Sequence, residues 1–117
     1  MWYAVIPGIA MTTGIIIKVN NFGVTFTFTI KNADGTLRDL SGLTLTLYVW
    51  TAEVTPTMLF SGTCTADPVL TGVCYYLVTP TDFTAIGVYN AEIELTDSGT
   101  YLEDTDTFTI NCIPQHP

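Results

Sequence analysis

Positive charge is nearly missing from this chain. Lys18, Lys31 and Arg38 are its three basic residues against eleven acidic ones, the formal net charge is −8, and neither Lys nor Arg occurs after Arg38. A surface of that sign repels a phosphate backbone and an anionic bilayer alike, which sets aside binding to nucleic acid or to a membrane surface. Histidine occurs once, as His116 in the C-terminal Gln115-His116-Pro117 segment, so a nucleophilic triad lacks its base and a zinc site lacks ligands. Cys64, Cys74 and Cys112 make an odd count with no Cys-x-x-Cys spacing, and neither a disulfide framework nor a thiolate site is indicated. Met1 to Met11 is apolar but lacks the basic residues of a signal peptide, and no apolar run is long enough for a membrane-spanning helix. Phosphate-binding glycine loops and metal-binding signatures are also absent, so no catalytic residue, metal or cofactor is expected.

What is abundant is threonine, with 22 copies in 117 residues, in a chain that is 48% hydrophobic and only 12% charged. Threonine is β-branched and suits the wet face of a pleated sheet, where it supplies the solubility that charge does not. Its placement is regular. In Val24-Thr25-Phe26-Thr27-Phe28-Thr29-Ile30 the apolar residues fall on one face and the threonines on the other, the mark of a half-buried strand. Leu43 to Trp50 repeats the pattern, with Tyr48 and Trp50 on the second face, and Asn32-Ala33-Asp34-Gly35 between the two reads as a turn.

Further strands are predicted over Gly14 to Asn20, Met58 to Ala66, Val73 to Thr79, Val88 to Thr96 and Tyr101 to Ile113, with a helical turn at Pro80 to Gly87. The chain is thus expected to be all-β, an immunoglobulin-like antiparallel β-sandwich of about seven strands. Residues 1–13 form an apolar N-terminal arm, 14–113 the sandwich and 114–117 a short tail. Cys64 and Cys74 would face each other if the segments flanking Asp67-Pro68 pair as a hairpin; all three thiols are expected as small buried hydrophobes.

Ig-like sandwiches place a tyrosine near the start of one late strand, its hydroxyl bonding back to the preceding corner. Tyr89 in the run Asp82 to Ala91 fits that position, and Asp82, Gly87 and Tyr89 are the candidate corner residues. Ala91 stands where antibody domains carry a cysteine, so this is a relative of that fold without its disulfide.

Gly23-Val24-Thr25-Phe26-Thr27-Phe28, Lys31-Asn32-Ala33-Asp34-Gly35-Thr36 and Asp39-Leu40-Ser41-Gly42, followed by Thr81-Asp82-Phe83, Gly87-Val88-Tyr89 and Ala91-Glu92-Ile93-Glu94, together resemble the Ig-like modules of tailed-bacteriophage virions, in particular the N-terminal domain of baseplate upper proteins. The resemblance implies a non-enzymatic virion protein assembled in the host cytoplasm, an accessory, adaptor or decoration component of capsid, tail or baseplate. Its implied partners are other virion proteins or copies of itself. The alternative is a carbohydrate- or receptor-binding module on a virion or cell surface.

Two segments call for an account of their own. Glu92, Glu94, Glu103, Asp104 and Asp106 crowd one hairpin, where a tight turn at Ser98-Gly99 would set Glu94 opposite Glu103; solvation, a basic neighbour and a bound cation such as Ca²⁺ all remain open there. The arm is the other. Trp2, Tyr3, Val5, Ile6 and Ile9 are too apolar to stand in water, so the arm either closes an edge of its own sheet or packs on a neighbouring subunit, and these five residues are the candidate partner-binding set.

Overall fold

Each alternating segment becomes a strand with its apolar face turned inward. A computed structural model describes residues 15–115 and, as backbone, residues 2–5. Nine strands follow in order: β1 (Trp2–Val5), β2 (Ile15–Lys18), β3 (Thr25–Lys31), β4 (Thr44–Thr51), β5 (Met58–Ala66), β6 (Val73–Leu77), β7 (Gly87–Asp97), β8 (Thr100–Asp104) and β9 (Phe108–Ile113). No helix occurs among the described residues. The strands form one mixed sheet in the order β1-β3-β6-β5-β4-β7-β9-β2, with β8 also on β7.

That sheet is curled until its two halves face each other. The bend runs through β5, whose Met58–Cys64 stretch pairs with β4 while Thr65 and Ala66 pair with Tyr75 and Cys74 of β6. Rings from the two halves then meet: Phe28 of β3 and Phe108 of β9 have centroids 5.5 Å apart. The core between them includes Phe26, Phe28, Ile30, Leu45, Leu47, Val49, Ile93, Leu95 and Ile110, all at 0–1% exposure. Burying each such side chain is worth roughly 1.5–3 kcal/mol, so the faces read from alternation supply the main folding force. Phe83, from the segment between β6 and β7, plugs one end against Phe60 (5.2 Å) and Phe26 (6.1 Å).

The structure departs from the sequence reading in several places. The sheet is not purely antiparallel, because β1 pairs parallel to β3 and β2 parallel to β9. Both come from the start of the chain and pair with strands distant in sequence, a choice that alternation does not encode. The stretch predicted as one strand over Tyr101 to Ile113 is two, laid along the same edge of β7. Thr105 bridges the break: its N–H donates to Ile93 O (3.0 Å) and its hydroxyl accepts from Ile93 N–H (3.0 Å), so the ladder continues through a side chain. The helical turn predicted at Pro80 to Gly87 is a single hydrogen-bonded turn, Asp82 N–H to Thr79 O at 3.2 Å, followed by irregular chain.

Candidate interaction surface

Gly87 and Tyr89 meet at one corner, whereas Asp82 is bonded to Tyr76 and Thr79 instead. The Tyr89 hydroxyl donates to Ala85 O at 2.7 Å, tying the start of β7 to the segment before it. Gly87 has a positive φ of 159°, and a Cβ there would lie at ordinary contact distance, 3.7 Å, from the Tyr89 hydroxyl oxygen. Asp82 is buried. Its Oδ2 accepts from the Tyr76 hydroxyl (2.5 Å) and Thr79 N–H (2.9 Å), and its Oδ1 from the Thr79 hydroxyl (2.7 Å). A carboxyl group with its oxygens committed in this way serves the fold. Burial, reinforced by the bond to Asp82, pushes the Tyr76 phenol above its ordinary value.

The acidic hairpin differs from its sequence reading in register. Ser98 (φ 50°) and Gly99 (φ 82°) make the tight turn, and Asp97 faces Thr100. A bulge then shifts the pairing, so Glu94 faces Asp104 and Glu103 faces Leu95. The shift frees Glu103 for a partner on another loop: Arg38 Nε lies 2.8 Å from its Oε1, a charge contact in which the N–H is poorly aligned. Nearby, the Thr107 hydroxyl donates to Glu92 (2.8 Å) and the Tyr101 hydroxyl to Asp104 (3.2 Å). Glu92, Asp104 and Asp106 border an open groove of about 460 Å³. Among the described residues no group of three or more His, Cys, Asp or Glu side chains is placed to hold a metal ion.

Two connections carry three aspartates, none of them buried, that bond to residues just after them, as the turn signals foreshadow. Asp34 Oδ1 accepts from Thr36 N–H (3.0 Å) and hydroxyl (2.6 Å), and Asp39 Oδ1 from Ser41 N–H (3.0 Å) and hydroxyl (2.5 Å). These bonds hold both carboxyls below the ordinary aspartate range, with the hydroxyl of Thr36 or Ser41 as the leading cause. Asp67 accepts from Val69 N–H and Leu70 N–H, both at 2.8 Å, and from the Tyr75 hydroxyl; the Leu70 N–H does most to lower its pKa.

The cysteines are free and buried. Cys74 pairs with Ala66 across the ladder, so Cys64 and Cys74 sit diagonally rather than opposite, and their contact, with burial, pushes the Cys64 thiol far up. Of the candidate arm, the backbone of Trp2, Tyr3 and Val5 pairs with Phe28, Thr29 and Lys31 at the outer edge of the sheet, while Ile6 and Ile9 lie outside the described residues.

No protein-family model matches the sequence, and no curated protein matches it either. Among solved structures, the fold is similar to the N-terminal domain of phage TP901-1 ORF48, with a TM-score of 0.65 over 97% of this chain and 98% of that one. Identity between the two is 12%, so the likeness is one of fold. A curled all-β architecture of this kind is therefore one that a phage protein also uses.

Proposed function

We propose that this chain is a non-catalytic structural protein of a tailed-phage particle, an Ig-like sandwich acting as adaptor, accessory or decoration component of capsid, tail or baseplate. The observation that carries the reading is the end-to-end likeness to a phage domain, 97% of one chain over 98% of the other. The Tyr89 to Ala85 bond, the corner that Ig-like domains use, supports the finer fold assignment. A non-catalytic role is supported by the fate of Asp82, the buried carboxyl group, whose oxygens are engaged by Tyr76 and Thr79. Function then lies in contacts with other virion proteins. Mass spectrometry of purified particles separated into capsid and tail fractions tests this: the chain is expected at a fixed copy number in one fraction, and its absence from both would refute the reading.

A second reading, a carbohydrate-binding module, draws on a groove of about 640 Å³ bordered by Thr25, Ser61, Thr63, Thr65 and Tyr75. The Tyr75 and Tyr76 hydroxyls are already engaged by Asp67 and Asp82, which leaves that groove without free aromatic polar groups. Binding on a glycan array would favour this alternative.

A further inference from the structure

Three connections gather at one end of the molecule: residues 32–43 between β3 and β4, 67–72 between β5 and β6, and the Ser98-Gly99 turn between β7 and β8. The first two are in contact. A Cβ added at Gly72 would come 3.4 Å from the Leu37 Cβ and 2.9 Å from Ile30 O, and Arg38 reaches Glu103 across the hairpin. On this platform Val69 is 84% exposed, Leu70 55% and Leu37 47%, and β8 adds exposed Tyr101 and Leu102.

The backbone beneath these side chains holds them outward. Asp67 fixes the N–H groups of Val69 and Leu70, and Leu37 is held by its bridge to Lys31 and by Arg38 N–H on Ile30 O at 2.9 Å. A cluster of apolar side chains kept in water by a hydrogen-bonded frame marks a contact surface. Charge says what kind. Asp34, Asp39, Asp67, Asp97, Glu103 and Asp104 lie on this end with two cations, Lys31 and Arg38, of which Arg38 faces Glu103. The loops of the opposite end, residues 19–24, 52–57 and 78–86, also expose apolar side chains at Phe22, Val54 and Ile86, but carry only Glu53 and the buried Asp82 as acids.

We propose that the loop end built on Leu37, Val69 and Leu70 docks onto a partner protein that offers an apolar pocket bordered by Lys and Arg side chains. The proposal rests on the virion reading and names the surface by which the chain joins the particle. Complementary charge selects this partner over a second copy, because two such ends would set carboxylate against carboxylate.

The test is to assemble particles with the full-length wild type, with Val69→Lys/Leu70→Lys, or with Val54→Lys at the opposite end, and to count copies per particle by quantitative mass spectrometry. The double variant is expected to fall by about tenfold or more, as for loss of a central apolar anchor, while Val54→Lys incorporates like wild type. All three should melt at the same temperature, since the changed side chains are exposed; if the double variant melts lower, Val69→Ser/Leu70→Ser takes its place in the same count. Undiminished incorporation of the double variant, or loss of Val54→Lys instead, overturns the proposal. A photo-crosslinking residue at position 70 is expected to bond a Lys- and Arg-bordered surface of another virion protein, and a bond only to a second copy overturns the choice of partner. Wild-type chain missing from the particles would overturn the virion reading and the proposal with it, whereas wild type present beside an undiminished double variant removes the proposal alone.

Discussion

Gly62 shows how a single residue is dictated by a distant side chain. A Cβ at this position would lie 2.3 Å from Cε1 of Tyr76, whose ring crosses the backbone of β5 there. Tyr76 cannot swing aside easily, because it stacks on Phe60 (centroids 5.8 Å, 21° between planes) and its hydroxyl is bound to buried Asp82. Gly62→Ala is therefore an overpacking substitution, expected to cost about 1–3 kcal/mol in urea unfolding. An unchanged midpoint would show that the ring yields freely. Tyr89→Phe removes one partly buried hydroxyl bond, to Ala85 O, and is expected to cost about 1 kcal/mol in the same measurement; equal stability of the two proteins would mean that this corner bond is not used in solution. Tyr89 was legible in the sequence because its bond is local, four residues back. The need for glycine at position 62 was not, because the ring that excludes a side chain arrives from another strand.

At the scale of elements, the hairpin of β7 and β8 carries the clearest tension. A bulge moves Glu103 out of register with Glu94, but Asp104 takes its place, so a like-charge pair persists on the ladder. Directly opposed carboxylates destabilise a sheet by a few tenths of a kcal/mol. Asp104→Asn keeps an acceptor for the Tyr101 hydroxyl while removing one charge, and is expected to raise stability by about that amount, more so at low salt. A loss of stability would instead mean that the carboxylate is holding a cation. The turn itself was readable from Ser98-Gly99, and the conflict of charges was too. The register was not, since one inserted residue in a bulge reverses which side chains face each other.

For the molecule as a whole, the carboxylates set the response to acid. Asp34, Asp39 and Asp67 each have a folded pKa below the ordinary 3.8, through bonds to Thr36, Ser41 and the Leu70 N–H respectively. A depressed carboxyl pKa means that the unfolded chain binds the proton more readily, so the stability it contributes is present above pH 3.8 and is lost as pH falls through the folded value. Acid also relieves the self-repulsion of a chain with net charge −8, so the single group is best read by difference. The stability gap between wild type and Asp67→Asn is expected to be constant above pH 3.8 and to close as pH falls through the folded pKa of Asp67. A gap that stays open in acid would show that Asp67 acts through packing rather than charge.

The period-two alternation of Thr with Phe, Ile and Leu determined by itself that the chain is all-β, which faces are buried, and where most strands run, because side-chain direction along a strand is a local property of the backbone. Turn chemistry at Asp34-Gly35 and Ser98-Gly99, and the tyrosine of the corner, were local as well. Only the tertiary structure decided that β1 and β2 pair in parallel at the two edges, that β5 passes from one half of the sheet to the other, that Thr105 spans the break between β8 and β9, and that two loops bring Leu37, Val69 and Leu70 to one acidic end. Each of these joins residues far apart in sequence, where the energy lies in which surfaces meet, and no local pattern records that choice.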